Sequence, residues 1–309
     1  MVFHRLLHRP PDGSGRRKDK IQKIGDPMTS SQWRVTFAVV MSLLLVSCTR
    51  LAESQSTRIT PVDLVKAVIH SELNPSQGTE IRWKYLLDKQ VDGKQETREV
   101  IETKFGSLDR LISIAGKGLT DAQQREETER VWRLSHNAEK QQKLEQSRRK
   151  DAEQCNRFLL MIPDAFVFEY GGENGGLTKL NFKPNPRFQP PSREGTVLHE
   201  MAGEIWVDAK QLRLVSIVGQ LMSDVKFAGG LLGHLEKGGQ FVVKRSEIVP
   251  GHWELTEMSV SMRGKALLFK TISVQQKELH TNFQAVPDDL SLPNAAGILL
   301  GQALVAAKR

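Results

Sequence analysis

The chain of 309 residues is short of cysteine and tyrosine, with two of each, and aromatic residues make up only 6% of it. Cys48 and Cys155 cannot build a disulfide framework or a cysteine-rich zinc site, so stability has to come from a buried core. Metal and phosphate motifs are missing as well. His199-Glu200 is followed by Gly203 where a metalloprotease helix needs its second histidine. The stretch "FAGGLLGHLEKGGQF" lacks the Lys-Ser/Thr ending of a phosphate loop and reads as a flexible loop at a sheet edge. There is no GxSxG elbow, and no apolar run reaches the roughly 20 residues of a spanning helix. Nothing here supports catalysis, a metal or a cofactor.

A surplus of charge is present, but it is unevenly placed. The formal charge is +8, yet residues 1–47 hold eight of the Lys/Arg residues and three of the Asp/Glu residues. From Cys48 onward the net charge is +3, too little for a phosphate-binding surface, so nucleic acid is not an expected partner.

The N-terminal segment explains the isolated Cys48. Arg34 precedes an uncharged stretch, Val35–Val46, with small residues just before the cysteine, the layout of a secretory signal. Leu45-Val46-Ser47-Cys48 resembles the lipobox of bacterial lipoproteins. That resemblance implies cleavage between Ser47 and Cys48 and a lipid on the Cys48 thiol; an ordinary cleaved signal and a core strand are the alternatives. Residues 1–27 are basic and without periodicity, and Met28 opens a complete signal peptide (28–47) by itself. A start at Met28 is expected, with a long n-region as the alternative. A polar tether, 48–59, follows.

The folded part reads as one domain, 60–290. "TPVDLVKAVIHSELN" predicts a helix with Thr60 as N-cap, Pro61 in the first turn and an apolar stripe from Leu64, Val65, Val68 and Ile69. "TEIRWKYLLD" and "KQETREVIETK" predict a hairpin around Asp92-Gly93, and "DRLISIAGKG" a third strand. Residues 120–162 are highly charged and helix-prone, with a Thr120/Gln123 capping box, a break at 135–137, a stripe of Ala152, Cys155, Phe158, Leu159 and Ile162, and a stop at Pro163. This excursion reads as a solvated helix pair or as a docking surface for a protein partner. From Phe166 to Val286 short strands recur with glycine pairs at 171–172, 175–176, 229–230 and 238–239 as turns, among them "TVLHEMAGEIWVD", "KALLFKTISVQQ" and "HTNFQAV". No alternation of strand and helix suggests a parallel sheet. Runs such as "LVSIV", apolar on both faces, mean that something covers each side. The apolar tail 291–309 either packs on the sheet or lies in a membrane interface.

Aromatics fall on the predicted strands, including Trp83, Tyr85, Phe168 and Trp206. Trp83 and Tyr85 share a face by period two. These four are the candidate lining of a pocket for an apolar ligand, with plain core packing as the other reading.

The stretch "GEIWVDAKQLRLVSIVGQL" (203–221) is similar to the hairpin G-x-[IVL]-W-[IV]-D…R-L-V-x-[IV]-x-G of the lipoprotein-localisation carrier and receptor superfamily. The flanking "LNFKPNPRFQPPSRE" and "DVKFAGGLLGHLEKGGQF" look like its sorting-protein-like bacterial branch. The resemblance, over about residues 60–286, implies an α+β fold: a curved antiparallel sheet, or half-barrel, whose concave face is plugged by helices around a cavity for acyl chains. It implies a non-catalytic periplasmic protein that holds a hydrophobic ligand or lipoprotein. The charged excursion is longer than the family's lid, and Cys48 places the chain nearer the anchored receptor. Thr49 leans the anchor toward the outer membrane.

Overall fold

The computed structural model describes residues 59–74, 81–227, 233–266 and 270–301. Ser47, Cys48, the signal and the segment ahead of it lie outside the described residues, as do 302–309 of the tail and two of the glycine positions, 229–230.

Helix α1 (Pro61–Leu73) starts as its sequence dictates. Thr60 Oγ1 accepts the Asp63 N–H at 3.2 Å, Pro61 fills the first turn, and Leu64, Val65, Val68 and Ile69 form one buried stripe. Strands β1 (Arg82–Val91) and β2 (Lys94–Thr103) are joined by Asp92 and Gly93, both with positive φ (48° and 80°), the backbone a tight hairpin requires. Strand β3 (Gly106–Ile114) and the two-residue β4 (Lys117–Gly118) follow.

Helix α2 (Asp121–His136) carries the expected capping box, and α3 (Ala138–Ala165) begins after the break at Asn137. Two expectations for this region fail. The helix runs through Pro163 to Ala165, because proline removes one bond in a final turn whose later N–H groups still pair. Ala152 and Cys155 are exposed, so the packed stripe begins only at Phe158 and Leu159 and ends at the buried Ile162. The excursion is not separate, since the described residues from Thr60 belong to one unit.

The remaining strands are β5 (Phe166–Asn174), β6 (Leu177–Pro184), β7 (Met201–Asp208), β8 (Arg213–Leu221), β9 (Val225–Phe227), β10 (Gly233–Leu235), β11 (Gln240–Val249), β12 (His252–Ala266) and β13 (Lys270–Val286). Helix α4 (Arg193–Leu198) precedes β7, and α5 (Leu292–Leu299) closes the described chain. Several details differ from the sequence reading. Thr196–Leu198 is helical, because Ser192 caps a turn there, and the strand starts at Met201. Gly171-Gly172 is a bulge inside β5 rather than a turn. Of the expected strand 265–276, Lys265 and Ala266 end β12, and from Lys270 it runs on without a break through the expected strand 280–286 as one long β13. The glycine-rich stretch after β8 forms a small flap, β9–β10, that pairs with β12.

Eleven of the described strands form one open antiparallel sheet in the order β4-β3-β2-β1-β13-β12-β11-β8-β7-β6-β5, to which the β9–β10 flap is joined at β12. Its non-local step is β1 on β13, which brings the first hairpin beside the last strand. The sheet is curved and unclosed, and with its helices makes an α+β half-barrel.

Which residues face inward follows from register. Leu180, Ile205, Ile217, Val243, Met258, Glu278, Lys89 and Glu96 are opposed in succession from β6 to β2 and therefore share a face. The first five of these are apolar and belong to, or pack against, the main core. Helix α1 and the end of α3 supply Leu64, Val65, Val68, Ile69 and Ile162 to that core. Burying each such side chain contributes about 1.5–3 kcal/mol.

A neighbouring row explains the two glycines of the 203–221 hairpin. Phe168, Phe182, Gly203, Gly219, Phe241 and Val260 are opposed in order. A Cβ on Gly219 would run into the Phe241 ring, and one on Gly203 into the Val218 carbonyl. The glycines leave room for the aromatic rings that lie over them.

Helix α1 is also clamped at its C-terminal end. Glu72 accepts the Leu214 N–H at 3.0 Å and pairs with Arg245, while Arg213 Nη1 donates to Ser71 O at 3.2 Å. A second core lies on the opposite face of the first hairpin. Ile101 and Leu108 pack there with Val131 of α2 and Leu292, Ala295, Ala296 and Leu299 of α5. The expectation that helices cover the concave face therefore holds for α1 and α3, while α2 and α5 cover the back of β2–β3. The described part of the C-terminal segment packs on the sheet.

Candidate functional site: the polar and aromatic end of the inner face

Along the inner row the chemistry changes from apolar at Met258 to charged at Glu278 and Lys89. Trp83 and Tyr85 of β1 stand at this end. Trp83 is 2% exposed; its Nε1–H donates to Glu254 at 2.7 Å and its main-chain N–H to Glu102 at 3.0 Å. Its ring meets Phe283 edge-on at 5.9 Å. Tyr85 stacks on His280 at 5.1 Å and on Phe283 at 5.3 Å.

In a regular strand, residues 280 and 283 would point to opposite faces. They share Tyr85 because β13 has one extra residue between Thr281 and Gln284, with Asn282 at φ 57°. The bulge re-aims Phe283 toward β1.

Two carboxylates beside these rings are shifted in opposite directions. Burial raises the pKa of Glu254, against the hydrogen bond from Trp83. Burial would also raise Glu278, but His280 and the Lys89 ammonium outweigh it and hold the group at about 2. Lys89 is 2.6 Å from Glu278, and Gln276 Nε2 donates to it at 2.8 Å. His280 Nε2 is 3.9 Å away, beyond hydrogen-bond reach, so Lys89 and Gln276 are the groups that hold the carboxylate directly. Burial, Glu102, Glu278 and Glu254 push the Tyr85 phenol up, opposed by Arg148 of α3. An apolar wall thus runs into a polar end that combines a carboxyl inclined to keep its proton with one that stays ionised.

Of the four aromatic candidates, the structure brings Trp83 and Tyr85 together. Phe168 is 7% exposed at the apolar end, packed with Phe166 and Phe182. Trp206 is on the other face, since its neighbours Ile205 and Val207 are the buried ones; it donates to Glu204 at 3.2 Å and lies under Lys179. It does not line the inner face. The buried alternation in β7 starts from Met201, which turns Trp206 outward. His280, Phe283, Glu254 and Glu278 escaped the sequence reading. The i, i+2 pair Glu278/His280 was a visible clue, but the bulge that recruits Phe283 was not. His199 lies in a turn after α4 rather than in a strand, with Nδ1 3.6 Å from Glu200.

The fold and this face define an open α+β half-barrel with an amphipathic interior. No family model and no curated protein matches the chain. Among solved structures, a DUF1329 family protein from Desulfovibrio piger is similar at 10% identity, covering 73% of this chain and 93% of its own, with a TM-score of 0.23. A similarity of that size carries no functional conclusion.

Proposed function

We propose that this chain is a cell-envelope lipoprotein, anchored through Cys48 to the outer membrane and facing the periplasm, that holds an acyl chain, lipid or lipoprotein against the inner face of the half-barrel without making or breaking a bond. The observation that supports it is the inner row itself: apolar from Leu180 to Met258, then polar at Glu278 and Lys89, an order that matches a chain and its head group. Each methylene laid on the apolar part contributes about 0.8 kcal/mol. Helix α1 and the end of α3 are what stand between that row and a ligand.

One observation favours a second reading. The same core is packed by the chain's own α1 and α3, which suits a scaffold or sensor that docks a partner through its charged helices 120–162. Fluorescent fatty-acid titration of the purified mature protein separates the two, together with mass spectrometry of an organic extract. Met258→Trp, which fills the seam of the row, is expected to weaken binding about tenfold, or about 1.4 kcal/mol. Trp206→Glu is expected to leave binding unchanged. A wild type that binds no fatty acid and yields no lipid removes the carrier reading in favour of the scaffold. Cys48→Ser tests the anchor separately, through loss of fatty-acid label and of detergent partitioning.

A further inference from the structure

We draw no further inference here: the strongest candidate, the exposed apolar patch of Ile112 and Ile114 at the end of strand β3, carries nothing, since nothing in the structure shows what covers it.

Discussion

Glu127 ties helix α2 to strand β3, and its removal can be worked out from the contacts. The residue is 7% exposed and accepts the Leu111 N–H at 2.6 Å and two Arg130 donors, Nε at 2.7 Å and Nη2 at 2.6 Å. Burial works against the ionised form, but Arg130 and the Leu111 N–H outweigh it, so its pKa lies below the usual value. Glu127→Ala removes all three bonds. Breaking a buried ion pair costs about 3–5 kcal/mol; Arg130 keeps its Asp109 contacts and is one-third exposed, which puts the expectation near 3 kcal/mol. At about 2–4 °C per kcal/mol for a domain of this size, Tm should fall by about 6–12 °C. Glu127→Gln keeps an acceptor for Leu111 and should cost about half as much. The lowered pKa adds a pH signature. Ionised Glu127 stabilises the fold above the unfolded carboxylate range, and that contribution is lost as pH falls through its folded pKa. The gap between wild type and Glu127→Gln should therefore close on acidification. Urea unfolding at pH 7 and pH 3, with the m-value checked for constancy, measures all of this. An Ala variant within about 0.5 kcal/mol of wild type, the usual effect of a plain surface change, would refute the assignment of Glu127 as the tie between α2 and β3.

Other expectations are sharper at the site. Glu278, held below the usual carboxylate range beside Lys89, should stabilise the protein at neutral pH, a contribution lost as pH falls through its folded pKa; Glu278→Gln should remove that, and converge on wild type in acid. Trp83→Phe deletes the donor to Glu254 and should cost about 1–2 kcal/mol. Because the Glu254 pKa is raised, a proton there favours the fold, and the loss should be greater at pH 8 than at pH 4 in paired melts. Gly219→Ala drives a Cβ into the Phe241 ring and should destabilise by roughly 1–3 kcal/mol, detected as a lower urea midpoint at constant m; a neutral result would show that the ring moves freely.

Several elements were legible in the linear chain because their causes are local. The Thr60 and Thr120 caps, the Asp92-Gly93 turn and the apolar stripe of α1 rest on residues a few positions apart, and they occur where the sequence indicates. Locality also limited the reading. Pro163 looked like a stop, although a final helical turn tolerates it, and Thr196–Leu198 looked like a strand because a six-residue helix has too few turns to show a period.

The sequence by itself determined that strands would dominate, that helices would cover them and that Trp83 and Tyr85 would share a face. Tertiary structure alone decided the rest. Pairing of β1 with β13 places residues nearly 200 positions apart side by side, and only the bulge at Asn282 turns His280 and Phe283 to the same side of Tyr85. The face of Trp206 was equally undetermined beforehand, because a single-residue change in register exchanges the two sides of a sheet. Glu278 and Glu254, both glutamates on neighbouring strands, acquire opposite pKa shifts from contacts the linear order does not contain: Lys89 beside one, burial next to Trp83 for the other.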